Sequence, residues 1–236
     1  MQEKSFIFLP AGMKQFRALK NKYILKNKNV LIIGPGSEKI AQKMIDAEAV
    51  SAILIVDDYE SLINARLAFS KKSKITVKMM DYDNTDFNEN EFDLVYAQAS
   101  VSTSNRNKIV KEIKRILKPE GVFCVGEITF LKEAYPAFVK DIFESSDILP
   151  LQHDSCKEYF SDRKFEILYE EDLSSSLKNF YETAAQSLRD TIGDLSEKEK
   201  SYYKKVLNKI SHESNAYLNL GADKYIGFKF LILKKL

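Results

Sequence analysis

Val30-Leu31-Ile32-Ile33-Gly34-Pro35-Gly36-Ser37 is the stretch that decides the fold. Its apolar run is continuous rather than alternating, which places both faces of the strand it forms in the interior, as in a parallel sheet. Two glycines follow at once, where the backbone can turn sharply and come close to a ligand. Ser37 then stands at the cap position of a helix predicted over 38–47, with Ile40, Ala41, Met44 and Ile45 facing inward.

The same unit recurs outward from this point. Ala52–Val56 ends at Asp57-Asp58, Ile75–Met80 ends at Asp81, and Phe92–Ala97 and Val122–Phe130 are further runs of strand type. Helices are predicted between them over 60–70 and 105–118. Pro119-Glu120-Gly121 reads as a turn, with the positive φ expected on Gly121. Upstream, Met13, Phe16, Leu19 and Tyr23 predict a helix over 11–27. The last third adds helices over 136–145, 154–162, 175–191 and 196–219, and strands over 165–171 and 226–233. In the last of those helices Tyr203, Leu207, Ile210 and Tyr217 keep helical spacing. The predicted class is α/β: a Rossmann-like, mostly parallel, seven-stranded sheet with helices on both faces. One domain spans 1–236, with an N-terminal helical cap over 1–28 and a helical lid insertion over 174–221, packed on the sheet.

Composition narrows the function. Of 236 residues, 44% are hydrophobic, which suits a globular protein, and 36 basic against 34 acidic residues give a net charge of +2. That balance offers no general electrostatic footprint for nucleic acid. No apolar run reaches the roughly 20 residues of a membrane span, and Ser5-Phe6-Ile7-Phe8-Leu9-Pro10 is too short for the core of a signal peptide. Cys124 and Cys156 make no disulfide framework. The expectation is a cytoplasmic protein whose partner is a small molecule.

In open parallel sheets, ligands bind beyond the carboxyl ends of the strands. Here those ends carry Gly34-Pro35-Gly36-Ser37, then Asp57, 21 residues after Gly36, then Asp81. Free N–H groups at a helix start attract negative charge, a carboxylate at Asp57 can accept from two ribose hydroxyls, and Asp81 can accept from an exocyclic amine. His153-Asp154-Ser155-Cys156 has metal-capable side chains but no second cluster, so no metal is expected. Lys71-Lys72 and Lys204-Lys205 read as solvated faces, and Cys124 as a core residue.

Taken together, these motifs resemble the class I S-adenosylmethionine-dependent methyltransferases, in the branch that modifies small molecules. Val30 to Ser37 resembles the motif that cradles the methionine part of the cofactor. Ile55-Val56-Asp57 resembles the ribose-holding motif, with Asp58 beside it, and Asp81-Tyr82 the pair that grips adenine. Arg115 to Gly121 resembles the turn into the fifth strand, with Glu120 where glycine is usual, and Tyr225–Leu233 fits a last strand that runs antiparallel. Two positions depart from the pattern: Ile32 stands where an acidic residue is common, and Glu38 where a third glycine is. The resemblance implies S-adenosylmethionine as cofactor and a small-molecule acceptor. It implies that Gln98, just past the fourth strand, faces the methyl donor, with Ala97 before it among the cofactor-binding residues. Little proton chemistry is needed, because the sulfonium is already activated. Glu127 and His212 are the candidates for touching the acceptor or serving as base, and Arg17 and Tyr23 of the first helix for covering the cofactor. Three other readings use parts of the same pattern. They are an aminopropyl or aminobutyryl transferase, a nicotinamide-dependent oxidoreductase, and a non-catalytic protein of this fold acting through a partner.

Overall fold

A computed structural model describes residues 9–70 and 73–236. The Lys71-Lys72 pair, residues 5–8 of the N-terminal apolar segment and the first part of the 1–28 cap lie outside the described residues. The elements run α1 (Lys14–Lys22), β1 (Asn29–Ile33), α2 (Glu38–Asp46), β2 (Ser51–Val56), α3 (Tyr59–Leu67), β3 (Ile75–Met79), β4 (Phe92–Gln98), α4 (Arg106–Ile116) and β5 (Leu117–Phe130). Then come α5 (Ala137–Ser145), β6 (Leu151–Gln152), α6 (Cys156–Ser161), β7 (Phe165–Asp172), α7 (Leu177–Asp194), α8 (Glu197–Asn219) and β8 (Ile226–Lys235).

The strands form one sheet in the order β3-β2-β1-β4-β5-β8-β7, with β6 paired to β5 off this path. It therefore has eight strands where seven are predicted. The extra one, β6, is two residues long and pairs only Thr129 with Leu151 and Phe130 with Gln152, too short for any periodicity to reveal. Every pairing is parallel except those of β8, which is antiparallel to both β5 and β7.

Burial explains the apolar runs. Val30, Ile32, Leu54, Tyr96, Cys124 and Phe228 point to one face, under α1, α2, α5 and the base of the α7–α8 pair. Leu31, Ile33, Ile55, Val95, Phe123 and Val125 point to the other, under α4 and α6. Burying aliphatic side chains of this size contributes about 1.5–3 kcal/mol each, so two dry faces carry most of the stability.

The predicted turn at Pro119-Glu120-Gly121 falls inside β5, as an irregularity in its pairing with β4. Glu120 takes the positive φ, at 62°, not Gly121. Gly121 is needed for another reason: a Cβ there would lie 2.7 Å from the Lys118 carbonyl oxygen. The long helices also depart from expectation. Among the described side chains of α8, only those near its end, Ser214, Ala216 and Tyr217, are buried, whereas Tyr202 and Tyr203 are exposed. The pair packs on the core by its base, where Tyr181 and Tyr217 stack at 4.3 Å, and its tip projects into solvent. A Ser196–Glu199 capping box starts α8 at that tip.

A cleft at the carboxyl ends of the strands

The glycine turn is shaped by close approach. Gly34 has φ 110° and Gly36 φ 76°, in the region where side chains are strained. A Cβ on Gly34 would sit 2.6 Å from that of Ser100, whose hydroxyl donates to the Ile33 carbonyl at 2.7 Å. The turn at the end of β1 is thereby stitched to the end of β4. Ser37 follows at the N-cap of α2, but its hydroxyl makes no capping bond. It is 1% exposed, and its Oγ has no hydrogen-bond partner among the described residues. A buried, unpaired hydroxyl at a helix start is costly unless something else satisfies it.

Beyond the strand ends lies a cleft of about 350 Å³. Pro35 of the glycine turn, Asp57 after β2, Asp81, Tyr82 and Asp83 after β3, and Ala99 and Ser100 after β4 contribute to its walls. The Tyr82 hydroxyl donates to Asp57 Oδ1 at 3.1 Å. Burial, reinforced by the Asp57 charge, pushes the Tyr82 phenol up, so it stays a donor. The far wall is formed by Thr103, Asn105 and Ile109 at the start of α4, and by Asp147 in the turn after α5.

The structure thus gathers Pro35, Asp57, Asp81 and Tyr82 at one cleft, with Gly34, Gly36 and Ser37 in the turn behind it. Three other expected site residues make their contacts elsewhere. Asp58 caps α3, accepting from the Ser61 N–H at 2.8 Å. Ala97 is buried in the sheet, and its carbonyl accepts from the Gln15 side chain at 2.9 Å. Gln98 does not face the cleft: its amide nitrogen donates to the carbonyls of Pro10 and of Gly12, the latter at 2.9 Å. Its oxygen accepts from the Tyr96 hydroxyl at 2.6 Å. Gln98 and Gln15 together clamp the N-terminal segment onto β4.

Glu127 is neither solvated nor in the cleft lining. It is fully buried, facing Arg106 through Nε–Oε1 at 3.2 Å and Nη2–Oε2 at 3.3 Å, and accepts from Ser102 at 2.5 Å. Arg106 also donates to the Leu149 carbonyl, which ties the start of α4 to the segment just after Asp147. Burial raises the Glu127 carboxyl against the pull of Arg106. His212 is exposed on α8 and lines no part of the cleft. Tyr23 donates to the Asp93 carbonyl at 3.3 Å, at the opposite end of the sheet from the cleft, and Arg17 is exposed. Ile32 is packed in the core, and Glu38 sits half-buried in the first turn of α2, outside the cleft lining. The second histidine, His153, lies 2.8 Å from Thr129 Oγ1 through Nδ1 and 3.5 Å from Asp172 Oδ2 through Nε2, in the wall between β5, β6 and β8.

Residues that the sequence reading passed over are Gln15, Ser100, Ser102, Thr103, Arg106 and Asp147. Asp83 had a legible signal, two places after Asp81. Asp147 had none, because its turn comes from a part of the chain without a strand-end pattern.

Residues 31–125 match the family model described as a methyltransferase domain. Over that region the chain resembles the class I S-adenosylmethionine-dependent methyltransferases. Within that family S-adenosylmethionine is the cofactor. The chain is 28% identical over 153 residues to phosphoethanolamine N-methyltransferase of Plasmodium falciparum (isolate 3D7), covering 62% of this chain and 52% of that protein. The Haemonchus contortus phosphoethanolamine N-methyltransferase 2, in complex with phosphomonomethylethanolamine and S-adenosylhomocysteine, superposes with a TM-score of 0.76. It does so at 16% identity, over 96% of this chain and 54% of that one. The cyclopropane synthase MmaA2 from Mycobacterium tuberculosis gives 0.73 at 13% identity, over 94% of this chain and 83% of that one. The chain thus spans about half the length of the two phosphoethanolamine methyltransferases. The two superpositions establish the fold.

The residues present suit the cofactor. The unpaired Ser37 hydroxyl sits at a helix start, directly after the glycine turn whose Pro35 lines the cleft. Among the cleft carboxylates, Asp57 and Asp81 are exposed to receive hydroxyl and amine donors.

Proposed function

We propose that this protein transfers the methyl group of S-adenosylmethionine to a small molecule bearing an amine. Convergence of Asp57, Asp81 and Tyr82 from two strand ends onto one cleft, with the unpaired Ser37 behind it, is the observation that carries the reading. Asp57 receives the ribose hydroxyls, held in place by Tyr82. Asp81 receives the adenine amine. The turn from Gly34 to Ser37 lies against the methionine part. Bound S-adenosylmethionine supplies an activated methyl, so the protein has mainly to align the acceptor for in-line attack.

Small-molecule acceptors fit the phosphoethanolamine relatives. The cleft itself favours the amine over the phosphate: besides the two aspartates assigned to the cofactor, its described lining holds Asp83 and Asp147 and no lysine or arginine, and a phosphate wants the opposite. Glu127, locked to Arg106, serves to hold the two walls in register rather than to move a proton. The α7–α8 hairpin, with the N-terminal segment that Gln98 clamps, is the proposed cover over the acceptor. A cytoplasmic location goes with this reading; no helix among the described residues is long and apolar enough to cross a membrane.

Calorimetric titration with S-adenosylmethionine and S-adenosylhomocysteine, beside NAD, tests the cofactor. Tight binding of both adenosyl compounds, lost in Asp57→Ala and absent for NAD, is the expected result. A panel of primary, secondary and phosphorylated amines, scored by S-adenosylhomocysteine formed, then tests the acceptor. Turnover of phosphorylated amines alone would overturn the assignment of acceptor charge.

A further inference from the structure

The net charge of +2 conceals a separation. The cleft mouth is acidic, with Asp57, Asp81, Asp83 and Asp147. At the other end of the sheet, where β7 begins at Phe165 and β8 ends at Lys235, a groove of about 310 Å³ runs between α4 and the turn joining α6 to β7. Four of its seven lining residues are cations, namely Lys111, Lys114, Arg163 and Lys164, and none is a carboxylate.

These cations are held, not merely near one another. Lys114 Nζ donates to the carbonyls of Arg163 and Lys164, at 3.0 and 3.4 Å, so one cation positions the backbone of the next two. Lys164 takes a φ of 64°, uncommon for a lysine, and this places its side chain on the turn. Arg163 donates to the Tyr159 carbonyl and to Asn107 Oδ1, both at 2.7 Å. Its guanidinium lies 3.5 Å from the centre of the Tyr159 ring, which leaves further N–H groups of its planar fork for a ligand. Burial and the neighbouring Lys164 push the Lys114 ammonium down, and burial and Lys114 do the same to Lys235. The like charges repel, and nothing in the groove lining neutralises them.

We propose that this groove binds a phosphate-bearing anion, either a soluble organic phosphate or an anionic lipid headgroup. Two features favour phosphate over an acidic protein segment. The volume lies at the small end of small-molecule sites, too confined for a helix. A phosphate concentrates its charge and acceptor oxygens at one point, where four convergent cations can share them; peptide carboxylates arrive singly along a chain. The site lies away from the methyl-transfer cleft and is independent of the function proposed for it.

Calorimetric titration of the full chain with inorganic tripolyphosphate tests the soluble arm. Co-sedimentation with phosphatidylcholine vesicles, with and without phosphatidylglycerol, tests the lipid arm. Lys111→Glu/Lys164→Glu is the groove variant, and Lys43→Glu/Lys140→Glu, exposed on α2 and α5, is the control with the same change in net charge. Both should keep the wild-type response to S-adenosylmethionine, which reports an intact fold. Support is binding of tripolyphosphate or of the anionic vesicles that weakens at least tenfold in the groove variant and less than twofold in the control. The proposal fails if the wild type binds neither probe, if both variants weaken alike, or if a poly-glutamate peptide binds the groove while the phosphate probes do not.

Discussion

The Tyr82 hydroxyl sits 3.1 Å from Asp57 Oδ1, so the residue at the end of β2 proposed for the ribose is oriented by the residue after β3 proposed for the adenine. The two subsites are one rigid unit. Asp57→Ala removes the acceptor outright and should weaken S-adenosylhomocysteine binding by about a hundredfold, or about 2.7 kcal/mol. Tyr82→Phe leaves the carboxylate but frees its rotation, for an expected loss of about three- to tenfold. Equal losses in the two variants would show that Tyr82 acts by something other than holding Asp57.

Gln98 joins three groups, the Pro10 and Gly12 carbonyls and the Tyr96 hydroxyl. Gln98→Ala leaves the Pro10 and Gly12 carbonyls and the Tyr96 hydroxyl without their partner, at a cost of about 1–3 kcal/mol. The segment from residue 9 to α1 should then be cut sooner in limited proteolysis. An unchanged cutting rate at that segment, with the global stability loss present, would mean that the clamp does not hold it down.

The Arg106–Glu127 pair is buried on both sides, at 5% and 0% side-chain exposure. Removing one partner strands the other, so Glu127→Leu or Arg106→Met should each cost about 3–5 kcal/mol in urea unfolding. The double variant should cost less than the sum by at least about 1 kcal/mol. Strict additivity would argue against the pairing.

Burial holds the His153 imidazole below its ordinary range, more than nearby Asp172 raises it. A histidine with a depressed folded value takes up its proton more readily when unfolded. Its contribution to stability is therefore complete above the unfolded value near pH 6.5 and lost as the pH falls through the folded one. The wild type should lose more stability than His153→Gln between pH 7.5 and 5.5. A parallel loss in both would remove His153 as the cause.

The core of the fold was legible because its signal is local. Val30–Ile33 and Ala52–Val56 are apolar on both faces, and only a sheet covered on both sides makes such runs. The cleft was legible where a motif names the end of a strand, as at Asp57 and Asp81. It was not legible where the deciding partner lies far along the chain. Gln98 was read as just past β4 and is its last residue, and its direction is set by carbonyls 86 and 88 residues away. Asp58 stands next to Asp57, but the adjoining helix claims it. Glu127 looks the same in sequence whether it meets water or Arg106. The spacing of Tyr203, Leu207 and Ile210 is helical, and the helix is there; it simply reaches further than the core it leans on. Turn chemistry was misjudged at Glu120, because Gly121 was already required by the Lys118 carbonyl.

The position of β8 bears on how the chain is made. It follows β5 and β7 in the chain, yet it lies between them, pairing Val122–Phe130 on one side and Phe165–Asp172 on the other. Until residues 226–235 have emerged from the ribosome, β5 lacks a neighbour on that edge and β7 lacks one altogether. Both wait with open backbone groups while the long α7–α8 hairpin is produced. The half of the protein nearest the cofactor turn can assemble early, and the other half is sealed by a single late insertion. Slowing translation just before residue 226 would therefore prolong the interval in which the nascent chain is most prone to pair with a neighbour.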